Sequence, residues 1–147
     1  MNTTPQKINL RPAEPALDGR QLDDLIQLWL DELARDLPPL TVNGYAFRLA
    51  YFRDWWRQEG PLRQWLLKRR DLADYGRHLS HLKTDRAPAG LGYHSQNDAL
   101  RRLRQMFRWA FQAGYTEQDY GAWIPRPAGE PPQRTAASLD DLQRLLD

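Results

Sequence analysis

Residues 95–114 read SQNDALRRLRQMFRWAFQAG, the clearest helical pattern in the chain. Their apolar residues recur at steps of three and four, as they do on one face of an α-helix. Ser95 and Asp98 resemble a capping box at the start, and Gly114 supplies a stop at the end. The face expected to enter the core consists of Leu100, Leu103, Met106, Phe107, Ala110 and Phe111.

Three further helical patterns precede this stretch. The first covers about residues 20–36, and the second follows Thr41, a plausible N-cap, and ends at the next Gly-Pro pair. A third begins around Arg69 or Arg70, before residues 84–93, whose proline and glycines predict a loop. Because no stretch of any length alternates between apolar and polar residues, the sequence predicts an all-α fold.

The two ends of the chain lack the long helical patterns of its middle. Residues 1–19 are polar, contain three prolines and show no apolar period, which indicates a flexible arm. Residues 115–137 are rich in proline and indicate a linker without regular structure. Residues 138–147 form a short helical stripe that has no core of its own, so we expect the chain to be the front part of a longer protein.

The composition excludes several classes of protein. A chain of 147 residues with 41% hydrophobic and 11% aromatic content suits one globular domain. Since there is no cysteine, disulfide scaffolds, thiol nucleophiles and cysteine zinc sites are excluded. No apolar run approaches the roughly 18 residues of a membrane span, and the start lacks a signal-peptide pattern. We therefore expect a cytoplasmic protein that does not contact a membrane.

The net charge of +2 conceals an uneven distribution along the chain. Residues 41–114 carry 14 basic and 6 acidic side chains, whereas the segments on either side are acidic. Of the 21 basic residues 18 are arginine, whose guanidinium binds phosphate oxygens two at a time. The central segment therefore favours a phosphate-bearing partner.

A helical wheel places three arginines in one row on the helix at 95–114. Arg101, Arg104 and Arg108 lie beside the core face, with no acid four residues away. Their mutual repulsion costs a few tenths of a kcal/mol each unless an anion lies nearby. Both a solvated arginine face and a phosphate-binding face fit this pattern.

Hydrogen-bonding side chains gather at the start of the same helix, where free N–H groups and the helix dipole attract anions. They are Tyr93, His94, Ser95, Gln96 and Asn97. Lys83 and Arg86, in the preceding loop, add positive charge. Together with the arginine row, this end of the helix favours nucleic acid.

Other candidate sites fit structural roles better. His78 and His81 lie one helical turn apart, but without a third ligand we expect no metal. Phe47 projects away from the core face of its helix, so it either packs on the first helix, which we favour, or marks a partner surface. Without a nucleophile or a glycine-rich phosphate loop, we expect neither an enzyme site nor a cofactor. The acids that could mimic a catalytic cluster, but better suit a solvated helix face, are Asp23, Asp24, Asp31, Glu32 and Asp36.

The order of three segments along the chain resembles that of a known protein family. They are TVNGYAFRLAYFRDW at 41–55, LRRLRQMFRWAFQAG at 100–114 and, after the proline-rich connector, SLDDLQRLL at 138–146. In this order they resemble the opening helix, the last core helix and the first catalytic-domain helix of tyrosine recombinases, the phage integrase and Xer-like family. The first two belong to that family's N-terminal SAM-like core-binding domain.

The resemblance implies a fold and a function. The fold would be a small four-helix bundle at residues 20–114, between the flexible arm and the proline-rich connector, with 138–147 as the start of a missing catalytic domain. The chain would grip double-stranded DNA for integration or recombination and would do no chemistry itself. Its partners would be DNA and other recombinase subunits in a tetramer, and it would be nucleoid-associated. The DNA-facing groups carried over by position are Thr41, Asn43, Arg48, Tyr93, His94, Ser95, Gln96, Asn97, Arg101 and Arg104.

An alternative of another class is a protein–protein interaction module, in which the acidic first helix and Phe47 dock onto a partner. A third possibility is a natural short protein that occupies recombination sites as an inhibitor. Salt separates DNA binding from protein docking, because DNA affinity falls steeply as salt rises and an apolar interface barely responds.

Overall fold

The computed structural model describes residues 16–127 and residue 129. Four α-helices make up most of this part of the chain, which confirms a mostly helical fold. They are α1 (Leu22–Asp36), α2 (Pro39–Glu59), α3 (Arg69–His81) and α4 (Tyr93–Gln112). No helix among the described residues is long and apolar enough to cross a membrane. The helix expected at 138–147 lies outside the described residues.

The core is built around aromatic side chains of α2. The centre of the Phe52 ring lies 5.1 Å from that of Tyr75 on α3 and 6.5 Å from that of Phe107 on α4. Both pairs of rings meet edge to face. The predicted face of α4 is buried as expected, with one exception. Phe111 is 44% exposed, because it lies about 80° around the helix from Leu103, at the edge of the apolar stripe.

Two helices begin earlier than their capping patterns predict. Pro39 opens α2, so Thr41 lies inside the helix and does not cap it. Proline suits this position because its φ is already helical and its missing N–H is not needed. Likewise, α4 begins at Tyr93 after an extended Gly92, so Ser95 is a helix residue and the predicted Ser95–Asp98 box is wrong.

Two other helix boundaries are confirmed. At the start of α3, the Asp71 carboxylate accepts a hydrogen bond of 2.7 Å from the backbone N–H of Lys68. At the end of α4, Gly114 has φ +86°, a conformation that glycine adopts readily. There the Tyr115 N–H donates to the Ala110 carbonyl at 2.8 Å, which completes a Schellman motif.

The end of the predicted arm packs against the core. Residues Leu17–Asp18 (β1) pair antiparallel with Leu66–Leu67 (β2), a short two-stranded sheet that the sequence did not predict. The buried Gly19 donates its N–H to the Trp65 carbonyl at 2.6 Å, and its own carbonyl accepts from the Trp56 indole at 2.8 Å. A turn of 3-10 helix then precedes α1, so the helix begins at Leu22 rather than at residue 20.

The start of the predicted linker also has regular structure. A 3-10 helix, Tyr120–Trp123, packs against α4, and the Asp119 carboxylate caps it by accepting from the Gly121 N–H at 2.8 Å. Tyr120 and the following Ile124 are buried. The prediction of no regular structure is therefore wrong here, because these apolar side chains stabilise the segment despite the prolines around it.

Candidate nucleic-acid interface

The arginine row lies on the outer side of α4, as the wheel predicted. Arg108 is exposed and Arg104 is half-buried, and neither forms an ion pair within the described residues. Burial lowers the pKa of Arg104 below its ordinary value, and the positive charges of Arg126 and Arg101 lower it further. Because arginine stays protonated in proteins, these guanidiniums repel one another.

A shallow groove of about 220 Å³ runs between this row and the 3-10 helix that follows α4. The Asp119 carboxylate also lies in it, but there it caps the 3-10 helix and forms no ion pair with an arginine among the described residues. The groove therefore keeps a positively charged wall. Its lining residues are Arg101, Arg104, Gln105, Arg108, Asp119, Gly121 and Ala122.

Arg101 does have an acidic partner, which the wheel analysis did not find. Its Nη2 lies 3.2 Å from an oxygen of Asp98, one turn earlier on α4. The same carboxylate binds Arg48 of α2 at 3.1 Å and Arg102 at 3.2 Å. Asp98 therefore neutralises one end of the row and leaves Arg104 and Arg108 without such a partner in the described structure.

Phe47 does not pack on α1, contrary to the favoured interpretation. It is 46% exposed and lines a second groove, of about 440 Å³, between α2 and the loop before α4. Guanidiniums of Arg48 and Arg86 lie 5.6 and 5.7 Å from its ring centre, and Tyr51 meets it edge-on. Ser95 lines the same groove, so part of the predicted set is brought together here.

The start of α4 retains the features that attract anions. No side chain caps its first N–H groups, and the exposed His94 lies beside Tyr93, with 6.0 Å between their rings. Gln96 is an exception among the predicted contacts. It is only 6% exposed and donates to the Leu91 carbonyl at 2.9 Å, so it cannot reach a DNA groove without leaving the core.

The other predicted contacts occupy varied positions. Thr41 and Asn43 are exposed in the first turns of α2, and Lys83 is exposed in the loop. Asn97 is half-buried on α4, one turn before Arg101.

Sequence reasoning missed two positive residues near the first groove. Arg126 influences the pKa of Arg104, and the Arg69 guanidinium lies 5.9 Å from the centre of the Trp123 ring. The apolar pair Trp123-Ile124 is the signal that could have placed this segment against the core, with the exposed Arg126 following it. Comparisons with protein-family models, with curated proteins and with solved structures found no match.

Proposed function

We propose that this chain is the DNA-binding, core-binding domain of a tyrosine site-specific recombinase or integrase. The observation that carries the proposal is the groove wall formed by Arg104 and Arg108, with Arg126 close enough to lower the pKa of Arg104. Three like charges without a carboxylate partner in the described structure favour the binding of an anion. In this proposal α1 to α4 form the SAM-like four-helix bundle of that family.

Duplex DNA fits this surface better than a small anion does. Its phosphates lie in a continuous line, and the positive side chains also lie in a line along α4. The uncapped start of α4 and the exposed Lys83 extend the positive potential beyond the groove. Phosphate contacts of this kind fix the position of a protein on DNA but carry little sequence information.

Sequence readout would come from the α4 residues next to the phosphate contacts. Asparagine pairs with adenine in the major groove, which makes Asn97, one turn before Arg101 on α4, the candidate. The chain itself would do no chemistry. Strand cleavage would belong to the catalytic domain, and the chain would act in the cytoplasm, at the nucleoid, within a tetramer of recombinase subunits.

Fluorescence anisotropy with a labelled random 30-base-pair duplex tests the proposal. We expect a Kd of about 1–100 μM at physiological salt, as for other non-specific complexes, with tighter binding at low salt and a steep loss of affinity as salt rises. Absence of binding at low salt by the folded chain would contradict the proposal.

A second candidate function is docking of a protein partner on α1. Leu28 is 45% exposed there, and the acids Asp24, Asp31 and Glu32 on the same helix are exposed. An apolar contact centred on Leu28 should keep its affinity at high salt, whereas DNA binding should not. Leu28→Ser should weaken such docking and leave DNA binding unchanged.

A further inference from the structure

Asp98 is a carboxylate surrounded by positive charge on the proposed DNA-binding surface. One oxygen accepts from Arg48 Nε at 3.1 Å, and the other lies 3.2 Å from Arg101 and 3.2 Å from Arg102. Its side chain is 25% exposed, so solvent and an incoming anion can reach it. Two of the three guanidiniums that Asp98 binds, those of Arg48 and Arg101, are also open to solvent.

A phosphate and a carboxylate bind a guanidinium through the same charge-assisted hydrogen bonds. A phosphate that approaches Arg48 Nε or Arg101 Nη2 therefore competes with the Asp98 oxygen that is already there. Ion pairs that remain partly open to solvent are weaker than fully buried ones, so this exchange is possible. Arg104 and Arg108 differ, because within the described residues no carboxylate has to be displaced from them.

Arg102 has a different role from the other two partners. Its guanidinium lies 4.1 Å from the centre of the Tyr45 ring, and its side chain is 18% exposed. This contact holds Arg102 in place whether or not Asp98 is charged. The cations that Asp98 can release to DNA are therefore Arg48 and Arg101.

We propose that Asp98 is an internal competitor of the DNA phosphate: it holds Arg48 and Arg101 in the free protein and so limits non-specific binding. This inference rests on the proposed function. In this proposal Asp98, an acid among positive side chains, is a specificity-determining residue. When the protein binds the phosphate backbone of any DNA less tightly, the discrimination between DNA sequences depends more on contacts with the bases.

The test compares Asp98→Asn with the wild-type chain and with Asp54→Asn on the same 30-base-pair duplex. Asp54 pairs with Arg57 at 3.1 Å on the exposed surface of α2, so its variant removes an equal charge and also releases one arginine. We expect Asp98→Asn to bind at least about fivefold more tightly at 0.1 M salt. Its salt slope should steepen by about 0.9 for each arginine that gains a phosphate. Asp54→Asn should change affinity less than about twofold.

Each outcome of this comparison supports or contradicts the role of Asp98. Equal or weaker binding by folded Asp98→Asn overturns the inference, and so does an equal gain in Asp54→Asn, which would show an effect of net charge alone. If wild type binds DNA and Asp98→Asn does not differ, only the inference is wrong. If neither binds, the proposed function is wrong as well.

A measurement on the wild-type chain removes any dependence on the folding of the variant. In ¹⁵N NMR spectra the Arg48 Nε–H signal should be visible in the free protein, because the hydrogen bond to Asp98 slows its exchange with water. We expect saturating duplex to shift this signal. An Arg48 signal that stays unchanged at saturation would overturn the inference.

Discussion

Replacing Arg104 and Arg108 together with glutamine should weaken DNA binding in a way that depends on salt. Glutamine removes the charges but keeps most of the aliphatic stem, so the half-buried position of Arg104 remains filled. Neither arginine has an acidic partner among the described residues, so the substitution breaks no ion pair seen in the structure.

The magnitude follows from the two phosphate contacts. Each contact contributes about 0.9 to the slope of log affinity against log salt, so the double variant should lower that slope by about 1.8. Relative to wild type, the loss of affinity should be roughly 60-fold at 0.1 M salt and roughly 20-fold at 0.2 M salt. A structural defect would instead give a similar loss at both concentrations.

Anisotropy titrations over a range of salt concentrations provide the measurement. The matched control is Arg35→Gln with Arg57→Gln, which removes two charges from exposed positions on α1 and α2. We expect this control to keep a slope near that of wild type. A folded Arg104→Gln, Arg108→Gln chain with an unchanged slope would refute the assignment of this groove to DNA.

Three further predictions concern stability, each measured by urea unfolding. Asp71→Ala should lower the free energy of unfolding by about 3 kcal/mol, because its 2% exposed carboxylate caps α3 and binds Arg63 at 2.6 Å. Asp71→Asn, which keeps the cap, should lose less, and equal losses would contradict this account. Gly44→Ala should raise stability by about 0.5–1 kcal/mol, since a Cβ there meets nothing within 4 Å inside a helix, and a loss would contradict it. Burial lowers the pKa of His78, so the unfolded chain binds its proton more readily and stability should fall as pH drops below the ordinary value of 6.5. His78→Gln should flatten this dependence between pH 7 and 5, and an unchanged slope would point to another group.

The helices could be predicted because their apolar spacing is a local property. Leu100, Leu103 and Phe107 repeat at the helical period, and the structure buries all three. The start of α2 was missed because a competing signal lies close to the predicted cap. Pro39 precedes Thr41 by two residues and suits the first helical position better, so it sets where α2 begins.

The candidate site could be predicted only where it depends on one helix. The position of Arg104 beside the core face follows from the wheel alone. The pairing of Arg48 with Asp98 joins residues on two helices, and the packing of α2 on α4 that creates it has no signature in local sequence. Gln96 was misplaced because it lies in a polar stretch, whereas its amide satisfies the buried carbonyl of Leu91.

The attachment of Gly19 beneath Trp56 has a consequence for how the molecule opens. The pairing of Leu17 with Leu67 closes a loop of about 50 residues, so its entropic cost is large relative to the two residues paired on each side. We therefore expect this strand to detach without unfolding of the helices, and the amide proton of Gly19 to exchange with solvent by that local opening. Amides in the middle of α2, around Phe52, should exchange only on global unfolding.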